Sequence, residues 1–317
     1  ATISRTYVDA KEWQQRKTLF LWSLLAFLVG PSIILFPYLV NVFVELPEDV
    51  LLWGLEVWII GILLYALQHI NKQHWGFVAL YRRKNQETDA FEEKVDRYFF
   101  QTAIWLPVIA MFAAPWHDAF FTPSELVYNA CHILFLTLST GYILYQVSRY
   151  AQGVVRNGPK LLYIATILSL YYMTFAFDPR IAIFWLVITG TGHCIQYHAV
   201  ILSYGKKQYA GKEKDTRKLP NLIFDHLWLY AVLGLTFSFI ASKPARNFVS
   251  NTIENILTSP WVTETFSYFG TTNGQTLTVA VVAAFMSGIR LHHFYVDSKI
   301  WKVSKDKGLA KNLEVKS

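Results

Sequence analysis

The chain has 317 residues, 53% of them hydrophobic and only 16% charged, with a formal net charge of +7 and a mean hydropathy of +0.28. Soluble domains carry about 25% charged residues, and the apolar residues here come in blocks long enough for the roughly 20-residue helix that crosses a bilayer. An ordinary soluble domain is excluded. Nucleic acid is excluded as a partner too, because the Lys and Arg residues lie between apolar blocks and form no recognition element.

The expected fold is all-α: a polytopic membrane bundle of about eight transmembrane helices, making a single integral membrane domain over residues 1–317. The first helix runs from Thr18 to Val44, with Pro31 and Pro37 as kinks. After the acidic turn Glu45 to Asp49, a second helix starts at Val50, reaches His69 and continues as an amphipathic stretch to Tyr81. A charged loop from Arg82 to Arg97 leads to a third helix, Tyr98 to Ala114. The fourth is Glu125 to Tyr150, the fifth Lys160 to Phe177 and the sixth Arg180 to Tyr204. Beyond the basic loop Lys206 to Lys218, a seventh runs from Asn221 to Ala241. Residues 243–274, broken by Pro, Gly and Asn, are expected as an extracytoplasmic interfacial insertion. The eighth helix is Gln275 to Val296, and 299–317 form a basic cytoplasmic tail.

Basic residues set the orientation. Arg16 and Lys17, Arg82 to Lys84, Arg149 to Lys160, Lys206 to Lys218 and the tail from Lys299 fall on one side, so both termini are expected in the cytoplasm. A bacterial inner membrane and an endoplasmic-reticulum membrane both satisfy this. Cys131 and Cys194 lie inside apolar segments and read as small buried side chains, with no disulfide framework.

On this topology seven of the nine histidines gather toward the cytoplasmic half: His69, His74, His193, His198, His226, His292 and His293. Polar groups in hydrocarbon are costly and tend to be functional, and neutral imidazole is the commonest protein ligand for transition metals. We therefore read three stretches, His69 to His74, His193 to His198 and His292-His293 to Asp297, as parts of one metal site, with His132 joining at mid-depth. His293 and Asp297, at i,i+4, share a helical face. His69 and His74, like His193 and His198, are five residues apart, about 140° round a straight helix. Each pair converges only if its helix unwinds locally or if its members serve different metals. Glu56, Asp225 and His226 are further ligand candidates, and Gln73, Gln196 and Tyr197 are candidates for hydrogen bonds behind the ligands.

Histidine clusters at the cytoplasmic ends of membrane helices resemble those of the membrane-bound non-haem iron oxygenases. One group is the fatty-acid desaturase, hydroxylase and alkane monooxygenase superfamily, although the boxes here lack the HxxxH and HxxHH spacings. The other is the Brp/Blh-type carotenoid dioxygenases. Their late motifs look like His193/His198 and His292-His293 with Asp297, and their earlier His-Phe-Gly stretch is similar to His69 or His74 with Trp75-Gly76. The resemblance implies iron, one ion or two (two in the desaturase-like reading), with zinc and copper as alternatives. It implies O2 as co-substrate, a lipophilic substrate such as an acyl lipid or isoprenoid, and a reductase as electron donor. The competing expectations are a carotenoid-cleaving mono-iron dioxygenase, a haem or pigment carrier, and a transporter.

Overall fold

The computed structural model describes residues 10–114, 123–154, 156–176, 179–209, 218–240, 274–301 and 306–313. Among the described residues there are eleven helices and no strand: α1 (Ala10–Ser23), α2 (Ala26–Asn41), α3 (Glu48–Lys84), α4 (Ala90–Ala113), α5 (Glu125–Ala151), α6 (Gly158–Phe175), α7 (Pro179–Tyr209), α8 (Lys218–Asp225), α9 (Leu227–Ile240), α10 (Gly274–Ile300) and α11 (Lys307–Asn312). Among the described residues, three helical stretches are long and apolar enough to cross a membrane: Trp13–Asn41, Val50–Lys84 and Glu125–Ala151. The interfacial insertion expected at 243–274 lies, but for its last residue, outside the described residues.

Several boundaries differ from expectation for identifiable reasons. The first apolar block is divided at Leu24 and Leu25, where tight hydrogen bonds such as Leu24 N to Leu21 O (3.1 Å) replace the regular ladder. Helix α2 then runs through both Pro31 and Pro37. The segment expected as a charged loop is mostly helix: Arg82 to Lys84 end α3, and α4 has begun by Ala90. Asp89 makes this possible by accepting from the backbone N–H groups of Phe91 (2.9 Å) and Glu92 (3.3 Å). Glu92 and Glu93 in the first turn of α4, and the basic residues in the last turn of α3, complement the two helix dipoles. The expected seventh helix is two, α8 and α9, separated at His226.

The helices gather into two compact units, Ala1–Leu67 with Leu202–Leu309, and Gln68–Ile201 with Ala310–Ser317. In the first unit α2 packs along α10, and both meet the start of α3 around Ile34, Tyr38, Leu51, Trp58 and Ala284. The approach is close enough to require glycine. A Cβ on Gly30 would lie 2.8 Å from Ala284 and from the Trp58 ring, and one on Gly288 would lie 2.5 Å from the Phe27 backbone. Small residues at such contacts are how helices associate in lipid, where no hydrophobic force drives them together.

The second unit packs α4 against α5 and α6. What ties it is a buried ionic network. The Asp96 carboxylate has no exposed surface. It accepts from Arg82 Nη1 (2.8 Å), Lys160 Nζ (2.8 Å) and Tyr142 Oη (2.7 Å). Glu87, in the α3–α4 turn, takes a second bond from Lys160 (2.8 Å) and from Arg82 (3.1 Å), and one from Asn157 Nδ2 (2.7 Å). Asn157 also caps α6, accepting from Lys160 N. A neighbouring pair, Arg156 and Glu92 (2.6 Å), shares Arg156 with Gln146. Three carboxylates, Asp96, Glu87 and Glu92, thus meet three cations, Arg82, Lys160 and Arg156, and the ends of four helices are joined.

Two predictions follow from the balance of this network. Replacing Asp96 by Ala leaves the buried Arg82 and Lys160 to share Glu87, with one positive charge uncompensated, which should cost about 3–5 kcal/mol of stability. Tyr142→Phe, which removes one hydrogen bond, should cost about 1–2 kcal/mol. Thermal unfolding of both variants in the same detergent would check the ranking. The pH response has a definite sign. Burial raises the Glu87 carboxyl, but hydrogen bonds from Lys160 and Asn157 and the charges of Lys160 and Arg82 outweigh it, so the group titrates below the ordinary glutamate value. Its stabilisation is therefore complete above the ordinary value of about 4.3 and is lost as pH falls through the lower folded value. Melting temperature against pH should show an acid fall that is shallower in Glu87→Gln, which starts lower at neutral pH. An identical acid fall in the two proteins would contradict this.

Candidate metal centre

In the first unit the His and Asp residues at the end of α10 are sorted by helical phase. His293 Nε2 stands 3.5 Å from Asp297 Oδ2, one turn on. The Asp297 side chain is 2% exposed and that of His293 is 41% exposed. The buried neighbours Val296 and Ile300 seat this end of α10 against Phe20. His292, about 100° round the helix from His293, turns instead to the ring of Phe27, at 6.3 Å, and to the backbone of Ser23. The adjacent histidines therefore serve different neighbours.

The His293–Asp297 separation suits a metal pair. Nitrogen and oxygen donors each bind an ion at about 2.0–2.2 Å, which places two donors on one ion about 3.0–3.5 Å apart. The same separation suits a carboxylate that orients an imidazole. Elsewhere in this unit, Asp225 and His226 are exposed at the break between α8 and α9. The carbonyl of His226 accepts from Leu229 N and Tyr230 N and so starts α9. Glu56 is exposed on α3, and is not the buried carboxylate that its depth in an apolar helix suggests.

In the second unit His69 and His74 are both buried on α3, which is unbroken from Glu48 to Lys84. With no unwinding between them, the angle of about 140° persists, and the two imidazoles face different neighbours. His74 Nδ1 lies 2.7 Å from Tyr163 Oη of α6. Tyr171 meets the His74 ring edge-on at 5.8 Å. The Tyr163 hydroxyl makes a longer bond, 3.4 Å, to Gln196 Oε1. Since a phenol has one proton, donation to Gln196 requires His74 to donate from Nδ1–H, which leaves the lone pair on Nε2.

His132 is held apart from His74. Its Nδ1 lies 2.7 Å from Tyr172 Oη, and its ring packs against Tyr128 with centroids 4.4 Å apart. Tyr163 and Tyr172 are nine residues apart on α6, about 14 Å along its axis, so His74 and His132 are not ligands of one ion. Helix α7 is also unbroken, so the five-residue spacing of His193 and His198 keeps its angle of about 140°. His198 is exposed, and Gln73, Gln196 and Tyr197 are half-buried. The side chains of His193 and Cys194 lie outside the described residues, whereas Cys131 is buried and free.

The tyrosines of α6 are what the reading of the sequence missed. Phenols inside an apolar helix need hydrogen-bond partners, and Tyr163 and Tyr172 each find an imidazole. That need was the available signal. Compared with known protein families, with curated proteins and with solved structures, the chain matches none.

Proposed function

We propose that the protein is an integral membrane, metal-dependent oxidoreductase that uses O2 to oxidise a lipophilic substrate, an acyl lipid or an isoprenoid. The observation that carries the reading is the His293–Asp297 pair: an imidazole nitrogen and a buried carboxylate oxygen 3.5 Å apart on one face of α10. His293 would be a ligand. Asp297 would be either a second ligand or the acceptor that fixes the tautomer of His293. Iron, one ion or two, suits this mixed nitrogen and oxygen donor set, and zinc and copper suit the imidazoles as well. When bound with open coordination positions, iron supplies O2 activation. The chain's own part is to hold the donors rigidly, and the packing of Val296 and Ile300 with Phe20 does this for Asp297.

In this reading the chain crosses the membrane about eight times with both termini in the cytoplasm. The basic segment Lys206 to Lys218 faces that side, where it would meet a reductase or anionic lipid. A second reading, a pigment carrier or a proton relay, is favoured by one observation: the pairs His74–Tyr163 and His132–Tyr172 stand at two levels of α6. A visible absorption band in the purified protein, lost in His74→Ala and His132→Ala, would support it.

The test of the metal reading is metal content per chain in protein purified in detergent without chelator. About one or two irons per wild-type chain should fall to background in His293→Ala. In Asp297→Ala the loss should be equal if Asp297 is a ligand, and a weakening of affinity by about 10–100-fold if it orients His293. The same measurement on His69→Ala, His74→Ala and His198→Ala assigns the remaining imidazoles. Wild type free of metal after growth with added iron would overturn the reading.

A further inference from the structure

The second unit contains a cleft of about 270 Å³ between α3 and α4, which no part of the metal reading uses. Its walls change character along its length. Helix α4 is charged up to Arg97 and carries no charged residue from Tyr98 to Ala113. Tyr98 therefore marks the polar-to-apolar boundary of this helix, where aromatic residues sit at membrane interfaces. The cleft starts at that level with Tyr98, takes in Lys72, and extends to Ile109, about 16 Å further along α4. Tyr98 is 68% exposed and Ile109 is 44% exposed, so the cleft opens sideways over its whole length.

Within the cleft Gln68 Oε1 accepts from Trp105 Nε1 at 3.2 Å and is satisfied. Asn71 is not. It lines the cleft and is 5% exposed. Its Oδ1 is buried with no hydrogen-bond partner among the described residues. A buried amide oxygen left unsatisfied is costly. The combination of an acceptor lacking a donor, a lysine beside it and an apolar continuation describes an amphipathic ligand aligned with the helices.

We propose that this cleft binds a glycerophospholipid whose headgroup carries a hydrogen-bond donor beyond its phosphate, such as ethanolamine or glycerol. Lys72 takes the phosphate, Asn71 Oδ1 accepts from the headgroup amine or hydroxyl, and an acyl chain lies along Trp105, Leu106 and Ile109. Choline, which has no N–H or O–H, leaves Asn71 unsatisfied. The proposal does not rest on the metal reading.

The test is native mass spectrometry of the full chain, delipidated in detergent and titrated with phosphatidylethanolamine, phosphatidylglycerol, phosphatidylcholine and diacylglycerol of matched acyl chains. The first adduct should form about five-fold more readily with ethanolamine or glycerol headgroups than with choline, as one hydrogen bond implies. Asn71→Leu should abolish that preference and leave phosphatidylcholine binding unchanged. Lys72→Gln should reduce all three phospholipids toward diacylglycerol. Thr102→Trp, placed on the exposed rim of the cleft, should suppress the adduct without disturbing the interior, and it decides the matter if Asn71→Leu does not fold. Equal binding of ethanolamine and choline lipids by wild type, or an adduct unaffected by Thr102→Trp, would overturn the proposal and leave only ordinary surrounding lipid.

Discussion

A carboxylate without exposed surface stays charged only where cations are brought to it, and Asp96 imposes that condition on the second unit. Arg82 must come from the end of α3, Lys160 from the first turn of α6 and the Tyr142 hydroxyl from α5. A buried ion pair is weak evidence for stability, since apolar residues of the same volume often serve as well. Its stronger effect here is on register. Sliding α6 by one residue against α4 would draw the buried Lys160 away from Asp96 and Glu87, a penalty no apolar contact incurs. The register of α6 in turn fixes the heights of Tyr163 and Tyr172, and through them the places of His74 and His132.

Helical phase then sorts the histidines. Residues five apart on an unbroken helix point about 140° from one another. Helix α3, with its long uninterrupted ladder, has no means of turning His69 and His74 to one target. Adjacent residues on α10 diverge for the same reason, which is why His292 meets Phe27 while His293 meets Asp297. His293 and Asp297, which share a helical face at i,i+4, do meet in space.

Much of the architecture was legible because hydrophobic blocks of bilayer length are a strong signal. All-helical structure follows from them, as does the near coincidence of the expected fourth helix with α5. The turn at residues 85–89 was less legible. A run of alternating charges between apolar blocks reads as solvated loop, and only the fold reveals that Asp89 caps a helix and that Glu87, Asp96, Arg82 and Lys160 neutralise one another. Charge pairing across 73 residues of sequence leaves no local pattern. Glu56 shows the opposite limit: its depth in an apolar segment says nothing about which way it faces, and it is exposed.

The same cost of burying polar groups links the network, the histidines and the cleft, and it separates them by how the cost is met. Asp96 meets it with two cations and a phenol, and His74 with Tyr163. Asp297 has His293 within reach, at a separation that an ion would also accept. Asn71 is as deeply buried as Glu92, each 5% exposed, yet Arg156 reaches Glu92 and nothing among the described residues reaches the Asn71 carbonyl. Native proteins leave few buried acceptors in that condition. On the proposed reading this cleft faces lipid, the nearest source of a donor is the bilayer itself, and a headgroup whose phosphate sits on Lys72 brings that donor toward Asn71.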